Sequence, residues 1–539
     1  MKKFALRDFL IAICSVFFLI NLALIFLIFF PIQQKQKVPE IEYPELPRLY
    51  ITLNGTTLDE INSNGKENRF PGNEITFLVD KEYYDFSNVE IKGRGNSTWI
   101  DGEKKPYQIK FDSKENLFGL GKAKSWVLLA NHFDDAFLRN DLAFYVARLL
   151  EMEFANNGRF VELYVDGGYI GLYYLTQKVG INRASVDIRD ENAVLMEMDN
   201  IYYDEYQKKY ISKNGDVFVL KDSISDDSEK QDLIASDFIR TYSDFENAVA
   251  EKNWQKIQEL VDVESFAKFY IMQDFSLNWD AFTTSQFYYK NGANDKIHAG
   301  PVWDFDNAFG RWLETAFYRR DLEYNSNGIS NQQSDTFFEL AKIQEFRELV
   351  SRIVQQKLLP NSEGLLNYVD DMAAKLGSAA KRDIEKWEKT DFYAGIQKTK
   401  ETLQRRLDYY AIFYANEETD FNGYYLFKNL NLNFQILPLD GGGYKIIRMS
   451  DNRALTVDES YNEYGTVSFH SFKDTVWQKW YICRDNEGKY YLFSVATESV
   501  LAINEFGQLI TKPLTRSENE QFEIAEIGAF PLDTLKQEN

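Results

Sequence analysis

What most constrains this 539-residue chain is a hydrophobic period that changes twice along its length. Up to about Val179 the apolar residues come in short alternating runs bounded by turn residues, the two-residue period of strands. Strands are predicted at Arg48 to Leu53, Glu74 to Val79, Val89 to Lys92 and Tyr107 to Phe111. Phe160 to Val165 and Tyr169 to Leu175 read as a hairpin across Asp166-Gly167-Gly168. A helix interrupts them at Asp135 to Met152, and Ala193 to Met198 is a further apolar segment. Beyond Asp226 the period turns helical through Asp232 to Ala250, Trp254 to Leu260, Val263 to Asn278 and the long stretches from Glu339 to Ala415. After Thr419 short strand-like runs alternate with Asn, Asp and Gly turns. The pattern predicts a two-lobed α+β unit followed by an all-β domain.

The length calls for two or more globular units. A formal net charge of -22 argues against a nucleic-acid partner, because phosphate backbones are bound by basic surfaces. Cys14 and Cys483 make no disulfide framework. With His132, His298 and His470 as the only histidines, a histidine-rich metal site has few candidates.

Phe9 to Phe30 is almost uninterruptedly apolar, about 33 Å as a helix, which matches a bilayer core. Lys2, Lys3 and Arg7 precede it, and no small-residue cleavage site follows. An uncleaved single-pass anchor in the cell membrane is therefore expected, with the bulk of the chain extracytoplasmic. The expected segments are 1–8 cytoplasmic, 9–30 transmembrane, 31–45 linker, 46–418 the α+β unit, 419–530 the all-β domain and 531–539 a tail.

Two carboxylate clusters punctuate the strand-like runs Gln286 to Lys290 and Ile297 to Trp303. They are Asn278-Trp279-Asp280 and Trp303-Asp304-Phe305-Asp306-Asn307-Ala308-Phe309-Gly310. Phosphoryl transfer uses acids in this way, one orienting a hydroxyl nucleophile and another holding the metal that neutralises nucleotide phosphates. Asp280 and Asp304 are the candidates for those tasks. Paired acids also serve glycoside hydrolysis, which needs them about 5 to 10 Å apart across a sugar cleft. Upstream, the Gly-flanked Arg94 of Ile91-Lys92-Gly93-Arg94-Gly95-Asn96-Ser97-Thr98-Trp99 can bring a guanidinium and backbone amides to phosphate oxygens, with Asn96 beside it. Lys105 and Lys110 flank a predicted strand in Lys104-Lys105-Pro106-Tyr107-Gln108-Ile109-Lys110-Phe111.

With Trp126-Val127-Leu128-Leu129-Ala130-Asn131-His132-Phe133-Asp134, Arg139-Asn140, Gly171-Leu172-Tyr173 and Glu197-Met198-Asp199, these motifs form an ordered series. The series resembles the spore coat protein H (CotH) family of atypical secreted protein kinases from about Leu46 to Ala415. The resemblance implies a two-lobed kinase-like fold using ATP with Mg²⁺ or Mn²⁺. Asp280 would act on the acceptor hydroxyl, Asp304 would hold metal, and Asp306 would add a further metal contact. Arg94, Asn96 and Glu197 would lie on the nucleotide side, with Lys105 or, preferably, Lys110 as the phosphate-pairing lysine. Five residues after Asp280, where the family usually has a metal-binding Asn, stands Ser285, a poorer ligand.

The C-terminal part repeats itself: Gly443-Tyr444-Lys445-Ile446 and Ala454-Leu455-Thr456-Val457-Asp458 recur as Lys489-Tyr490-Tyr491-Leu492 and Val500-Leu501-Ala502-Ile503-Asn504. Gln478-Lys479-Trp480 matches Glu520-Gln521-Phe522. These units resemble ricin-type β-trefoil lectin modules, which implies either a structural trefoil or a glycan site using Asp458 or Asn504. Two functions follow from the whole: a membrane-anchored kinase phosphorylating Ser or Thr of surface or coat proteins, or a weak or inactive kinase-like scaffold or glycan-binding adhesin.

Overall fold

The computed structural model describes residues 46–64, 66–202, 204, 206–311, 335–388, 391–414, 421–439, 443–458, 465–485, 487–496 and 499–527. Its first layer is a closed barrel of β1 (Arg48–Thr52), β2 (Phe70–Val79), β3 (Glu82–Gly93), β4 (Tyr107–Asn116), β5 (Lys122–Leu129), β6 (Gly158–Val165) and β7 (Gly168–Gln177). The order is β1-β2-β3-β4-β5-β7-β6, and the parallel β1–β6 pairing closes it. Alternate residues fill the interior: Leu49 and Ile51, Trp126 and Leu128, Val161 and Leu163, Tyr173 and Leu175. The opposite faces of β5, β6 and β7, carrying Val127, Phe160, Leu172 and Tyr174, pack into a second and larger core. Burial on both faces explains why Leu172 to Leu175 reads as one continuous apolar run. Short helices α1 (Leu58–Ser63) and α2 (Ser97–Ile100) lie in the barrel's loops, and α3 (Arg139–Leu149) joins β5 to β6.

The second layer is a five-stranded sheet in the order β12-β11-β8-β10-β9. Its strands are β8 (Ala193–Met198), β9 (Tyr210–Ile211), β10 (Val217–Ser223), β11 (Gln286–Asn291) and β12 (His298–Ala299). Around it pack α4 (Ser228–Ala250), α5 (Trp254–Leu260), α6 (Val263–Phe275), α7 (Asp335–Leu340), α8 (Gln344–Ile353), α9 (Ser362–Trp387) and α10 (Phe392–Phe413). Carboxylate caps start three of these helices: Asp227 accepts from Glu229 N and Lys230 N, Asp262 from Ser265 N, and Asp391 from Tyr393 N.

One buried ion pair fastens α9 to the barrel. Lys104 Nζ donates to Asp383 Oδ2 and to the Leu172 carbonyl, both at 2.5 Å, and Leu172 N donates to the same carboxylate oxygen at 2.7 Å. Both side chains are fully buried. The contact needs Gly171, where an added Cβ would lie 2.5 Å from Asp383 Oδ2. Arg382 to Glu162 (2.7 Å) and the Trp387 indole to Ile170 O (2.9 Å) extend the seam.

The last layer is a ten-stranded sheet of β13 (Gly423–Phe427), β14 (Leu432–Pro438), β15 (Tyr444–Arg448), β16 (Arg453–Val457), β17 (Gly465–His470), β18 (Trp480–Arg484), β19 (Tyr490–Ser494), β20 (Val500–Ile503), β21 (Leu509–Lys512) and β22 (Ile524–Ile527). It closes into a second barrel because β15 pairs with both β16 and β18. Gln478 and Trp480 are buried in it: the Gln478 amide donates to Thr456 Oγ1 and Ser471 O, and the Trp480 indole to Leu455 O. Glu520 and Phe522 are buried likewise. Tyr409 and Phe413 of α10 meet Phe493 and Tyr481 edge to face, so this barrel shares a core with the helices.

The structure corrects the expected fold class. In place of a two-lobed unit with a transmembrane helix and an appended all-β domain, helices and strands are mixed around two β-barrels. Among the described residues no helix is long and apolar enough to cross a membrane, which overturns the single-pass membrane location. The stretch Phe9 to Phe30 assigned to that anchor lies outside the described residues. The strand expected from Ile297 to Trp303 is only His298–Ala299, because Gly300 turns at φ +129° and Pro301 has no N–H to donate.

Candidate functional site

Asp280 sits in the turn that follows α6. Asn278 is buried, with its amide donating to Gln273 Oε1 at 2.8 Å and its Oδ1 accepting from Asp280 N at 3.3 Å. The Asp280 carbonyl in turn accepts from Thr283 N and Thr283 Oγ1. This turn delivers the chain to Ser285, at φ +55°, and then into β11.

Asp304 follows β12 in a left-handed conformation, φ +69°, a costly geometry for a non-glycine residue that its neighbours hold in place. Asn156 Nδ2 donates to Val302 O at 3.1 Å, Phe305 N to Asn140 Oδ1 at 2.8 Å, and Phe309 N to Ser276 O at 2.6 Å. The role of Arg139-Asn140 thereby becomes visible. Arg139, buried, pairs with Asp134 and Asp135 and fixes the start of α3, while Asn140 clamps the acidic motif.

Two contacts join the acidic motifs. Ser285 Oγ donates to Asp304 Oδ2 at 3.0 Å, and Asn307 Nδ2 donates to Asp280 Oδ2 at 3.3 Å. Burial pushes the Asp304 carboxyl up, against the pull of Ser285 and Arg94. Asp306 is pushed well above the carboxylate range by burial and then by the charges of Asp304, Asp280 and Asp134. Burial is thus the first cause of both shifts, and the neighbouring carboxylates add to it at Asp306.

On the barrel side, Arg94 follows β3, its guanidinium 5.7 Å from the centre of the Trp303 ring. Burial lowers its pKa while Asp304, Glu197 and Asp306 hold it up, so it bridges the acids of both layers electrostatically. Asn96 opens α2 and accepts from Lys66 Nζ at 2.6 Å. Glu197, buried on β8, accepts from Lys221 Nζ at 2.6 Å and from the Tyr206 hydroxyl at 3.4 Å. Two residues on, Asp199 accepts from Thr284 Oγ1 at 2.9 Å, tying β8 to the Asp280 turn.

Six of the nine residues singled out in the sequence thus fall into a connected neighbourhood, Arg94, Glu197, Asp280, Ser285, Asp304 and Asp306, while Asn96, two residues after Arg94, is held by Lys66. The two lysines point elsewhere. Lys105 Nζ donates to Trp99 O at 2.6 Å, and Lys110 lies half-exposed on the barrel, 3.6 Å from Glu90. A lysine that does bond one of these residues, and that the sequence reading left out, is Lys221, on Glu197. It occupies a bulge, since the register of β10 against β8 shifts between Leu220 and Asp222. A bulge re-aims the extra residue, here toward Glu197 and the ring of Phe287 at 5.3 Å. The run Val217-Phe218-Val219-Leu220 ending in Lys221 was the available signal.

The donor chemistry fits a divalent cation of the Mg²⁺ type. Such ions take one or two carboxylates and complete their shell with water and phosphate oxygens. Asp304 and Asp306 supply two buried carboxyls, and the charge of Asp304 raises Asp306, an effect that a cation would relieve. Among the described residues no group of three or more His, Cys, Asp or Glu forms an all-protein metal cage.

Comparison with known proteins gives the class first: a kinase. The chain belongs to the CotH kinase protein family, whose match spans residues 90–416. That span contains every residue of the candidate site. No curated protein matches the chain. Among solved structures, a Helicobacter pylori proinflammatory kinase, CtkA, is similar at 9% identity over 63% of this chain and 90% of its own, with a TM-score of 0.24. The designed threefold-symmetric protein ThreeFoil is similar at 20% identity over 18% of this chain and 74% of its own, with a TM-score of 0.17.

Proposed function

We propose that the protein transfers the γ-phosphoryl group of ATP to Ser or Thr hydroxyls of a protein acceptor, with Mg²⁺ or Mn²⁺. The observation that carries this reading is the pair of contacts, Ser285 to Asp304 and Asn307 to Asp280, that bring the two acidic motifs into one site. Asp280 orients the acceptor hydroxyl and takes up its proton. Asp304 and Asp306 would hold the cation, with Ser285 beside them, and the cation would supply charge neutralisation between the phosphates. Arg94 and Asn96 approach from the barrel side to meet phosphate oxygens, and Lys221, held by Glu197, serves in place of Lys105 or Lys110.

A non-catalytic scaffold is the second reading, and Ser285 favours it, since a hydroxyl already donating to Asp304 is a weaker metal ligand than a carboxamide. The two part on acceptor phosphorylation. Native protein incubated with ATP, Mn²⁺ and a casein-like acceptor is expected to give phosphoserine or phosphothreonine by mass spectrometry. Asp280→Asn should lower the rate by about 10²–10⁴-fold. Equal incorporation by native and Asp280→Asn protein would remove Asp280 from the reaction.

A further inference from the structure

Both acidic motifs are anchored on the last turn of α6. Gln273 Oε1 accepts from the Asn278 amide at 2.8 Å, Gln273 O accepts from Asn278 N at 3.2 Å, and Asn278 Oδ1 accepts from Asp280 N at 3.3 Å. Ser276 O accepts from Phe309 N at 2.6 Å, so the Asp304 motif hangs on the same turn. That turn is held in its place by α10. Arg406 Nη2 donates to Asp274 Oδ2 at 2.8 Å and to the Asp274 carbonyl at 3.1 Å, and the Tyr410 hydroxyl donates to the same carboxylate oxygen. Asp274, Arg406 and Tyr410 are all buried. A guanidinium is well suited to this point, because the last carbonyls of a helix lack intrahelical donors and carry the negative end of its dipole.

The second barrel in turn fixes α10. Thr402, Arg406 and Tyr410 recur every four residues and so share one face of the helix, and a Cβ on Gly310 would lie 2.2 Å from Thr402 Oγ1. Tyr409 and Phe413, also four apart, meet the barrel: Tyr409 lies 5.1 Å from Phe493 of β19 and Phe413 lies 5.1 Å from Tyr481 of β18, both edge to face. The Arg406 guanidinium rests against the rings of its own helix, 4.9 Å from the centre of Tyr409 and 5.1 Å from that of Tyr410. A series of direct contacts therefore runs from Phe493 through Tyr409, Arg406 and Asp274 to the turn that carries Asn278 and Asp280. Without Phe493 and Tyr481 the rings on α10 would regain rotamer freedom, and the surface on which the guanidinium rests would loosen with them.

We propose that Arg406 and Tyr410 are positioning residues for the Asp280 turn, and that the C-terminal barrel sets their grip by packing on Tyr409 and Phe413. The barrel is then a working part of the acidic site. The consequence for rate rests on the phosphoryl-transfer reading given above, whereas the placement of the turn is measured independently of it.

The test compares the full native chain with Tyr410→Phe, Phe493→Leu, the Tyr410→Phe/Phe493→Leu pair, and Phe506→Ser, an exposed control on the same barrel. Arg406→Met is expected to lose more than any of these, and Tyr410→Phe, the removal of one oxygen, decides the matter if that variant does not fold. By hydrogen exchange, the segment from Ser276 to Thr284 should exchange about tenfold faster in Tyr410→Phe and several-fold faster in Phe493→Leu, with β4 and β5 unchanged. The pair should be no faster than Tyr410→Phe alone, because both changes act through Asp274. With ATP, Mn²⁺ and a casein-like acceptor, kcat should fall in the same order while KM for ATP stays within about twofold, and Phe506→Ser should match native in both readouts. Native exchange of the Asp280 turn in Tyr410→Phe and Phe493→Leu would overturn the proposal. So would acceleration spread equally through β4 and β5, which would mark a general loss of stability, or a faster turn with kcat unchanged. If the native chain transfers no phosphoryl group, the phosphoryl-transfer reading falls, and the exchange of the turn alone decides its placement by the barrel.

Discussion

Removing the Lys104 ammonium should undock α9 from the barrel. In Lys104→Met the Asp383 carboxylate stays buried with only the Leu172 N–H as donor, because the second donor to Oδ2 was Lys104 itself. Breaking a buried pair from one side costs about 3–5 kcal/mol, since an uncompensated charge remains in a low-dielectric site. The ammonium also lies 4.6 Å from the centre of the Tyr173 ring, but methionine keeps most of that packing. At about 1.4 kcal/mol per decade, the loss corresponds to roughly two to three and a half orders of magnitude in the opening equilibrium of the seam. Hydrogen exchange is the assay: amides of α9 and of Ile170 to Tyr173 should exchange faster by that factor, while those of the C-terminal barrel should not change. Lys104→Met/Asp383→Leu removes both charges and should restore most of the protection. Protection in the single variant within a factor of ten of native, or no recovery in the double, would refute the claim that this pair holds the two layers together.

Other outcomes are equally specific. Gly310→Ala places a Cβ 2.2 Å from Thr402 Oγ1 at φ +87°, so it should cost about 2 kcal/mol or more in urea unfolding. Ser285→Asn should put a carboxamide where the Ser285 hydroxyl now meets Asp304 and lower the Mn²⁺ concentration needed for half-maximal rate by several-fold, read from initial rates. Burial pushes Glu246 up to about 7 from an ordinary 4.5, against hydrogen bonds from Ser212 and Asn214 and with Asp216 adding repulsion. The folded state therefore binds more protons between those values, so stability falls as pH rises from about 4.5 to 7. Glu246→Gln should flatten that window in urea midpoints taken across it.

How far the sequence foretold the structure varied with what decides each element. Ala193–Met198 and Trp254–Leu260 have their expected bounds, and the Phe160 hairpin turns at the Asp166-Gly167-Gly168 signal, with Val165 opposite Gly168. There the local pattern and the tertiary packing agree. The helix expected from Asp135 begins at Arg139 because the Asp134 carboxylate accepts from Ala136 N and Arg139 N, holding the chain in a turn first. Barrel closure was not legible, since it depends on a parallel contact between β1 and β6 that are more than a hundred residues apart. Motif order named the acids and the Gly-flanked Arg that the fold brings near one another, because such residues carry their chemistry in their type. Lys110 lies on the barrel beside Glu90, since a strand lysine reveals nothing about which barrel face it occupies, and the direction of Lys221 comes from a bulge, which hydrophobic period does not encode.

The most direct test of the central claim is phosphoryl transfer by Asp304→Ala beside the native chain. With labelled ATP, Mn²⁺ or Mg²⁺ and a casein-like acceptor, the native protein is expected to incorporate label and Asp304→Ala to incorporate none above background. Transfer persisting in the variant, or absent from the native chain under both metals, would contradict the assignment of the Asp280 and Asp304 motifs to phosphoryl transfer.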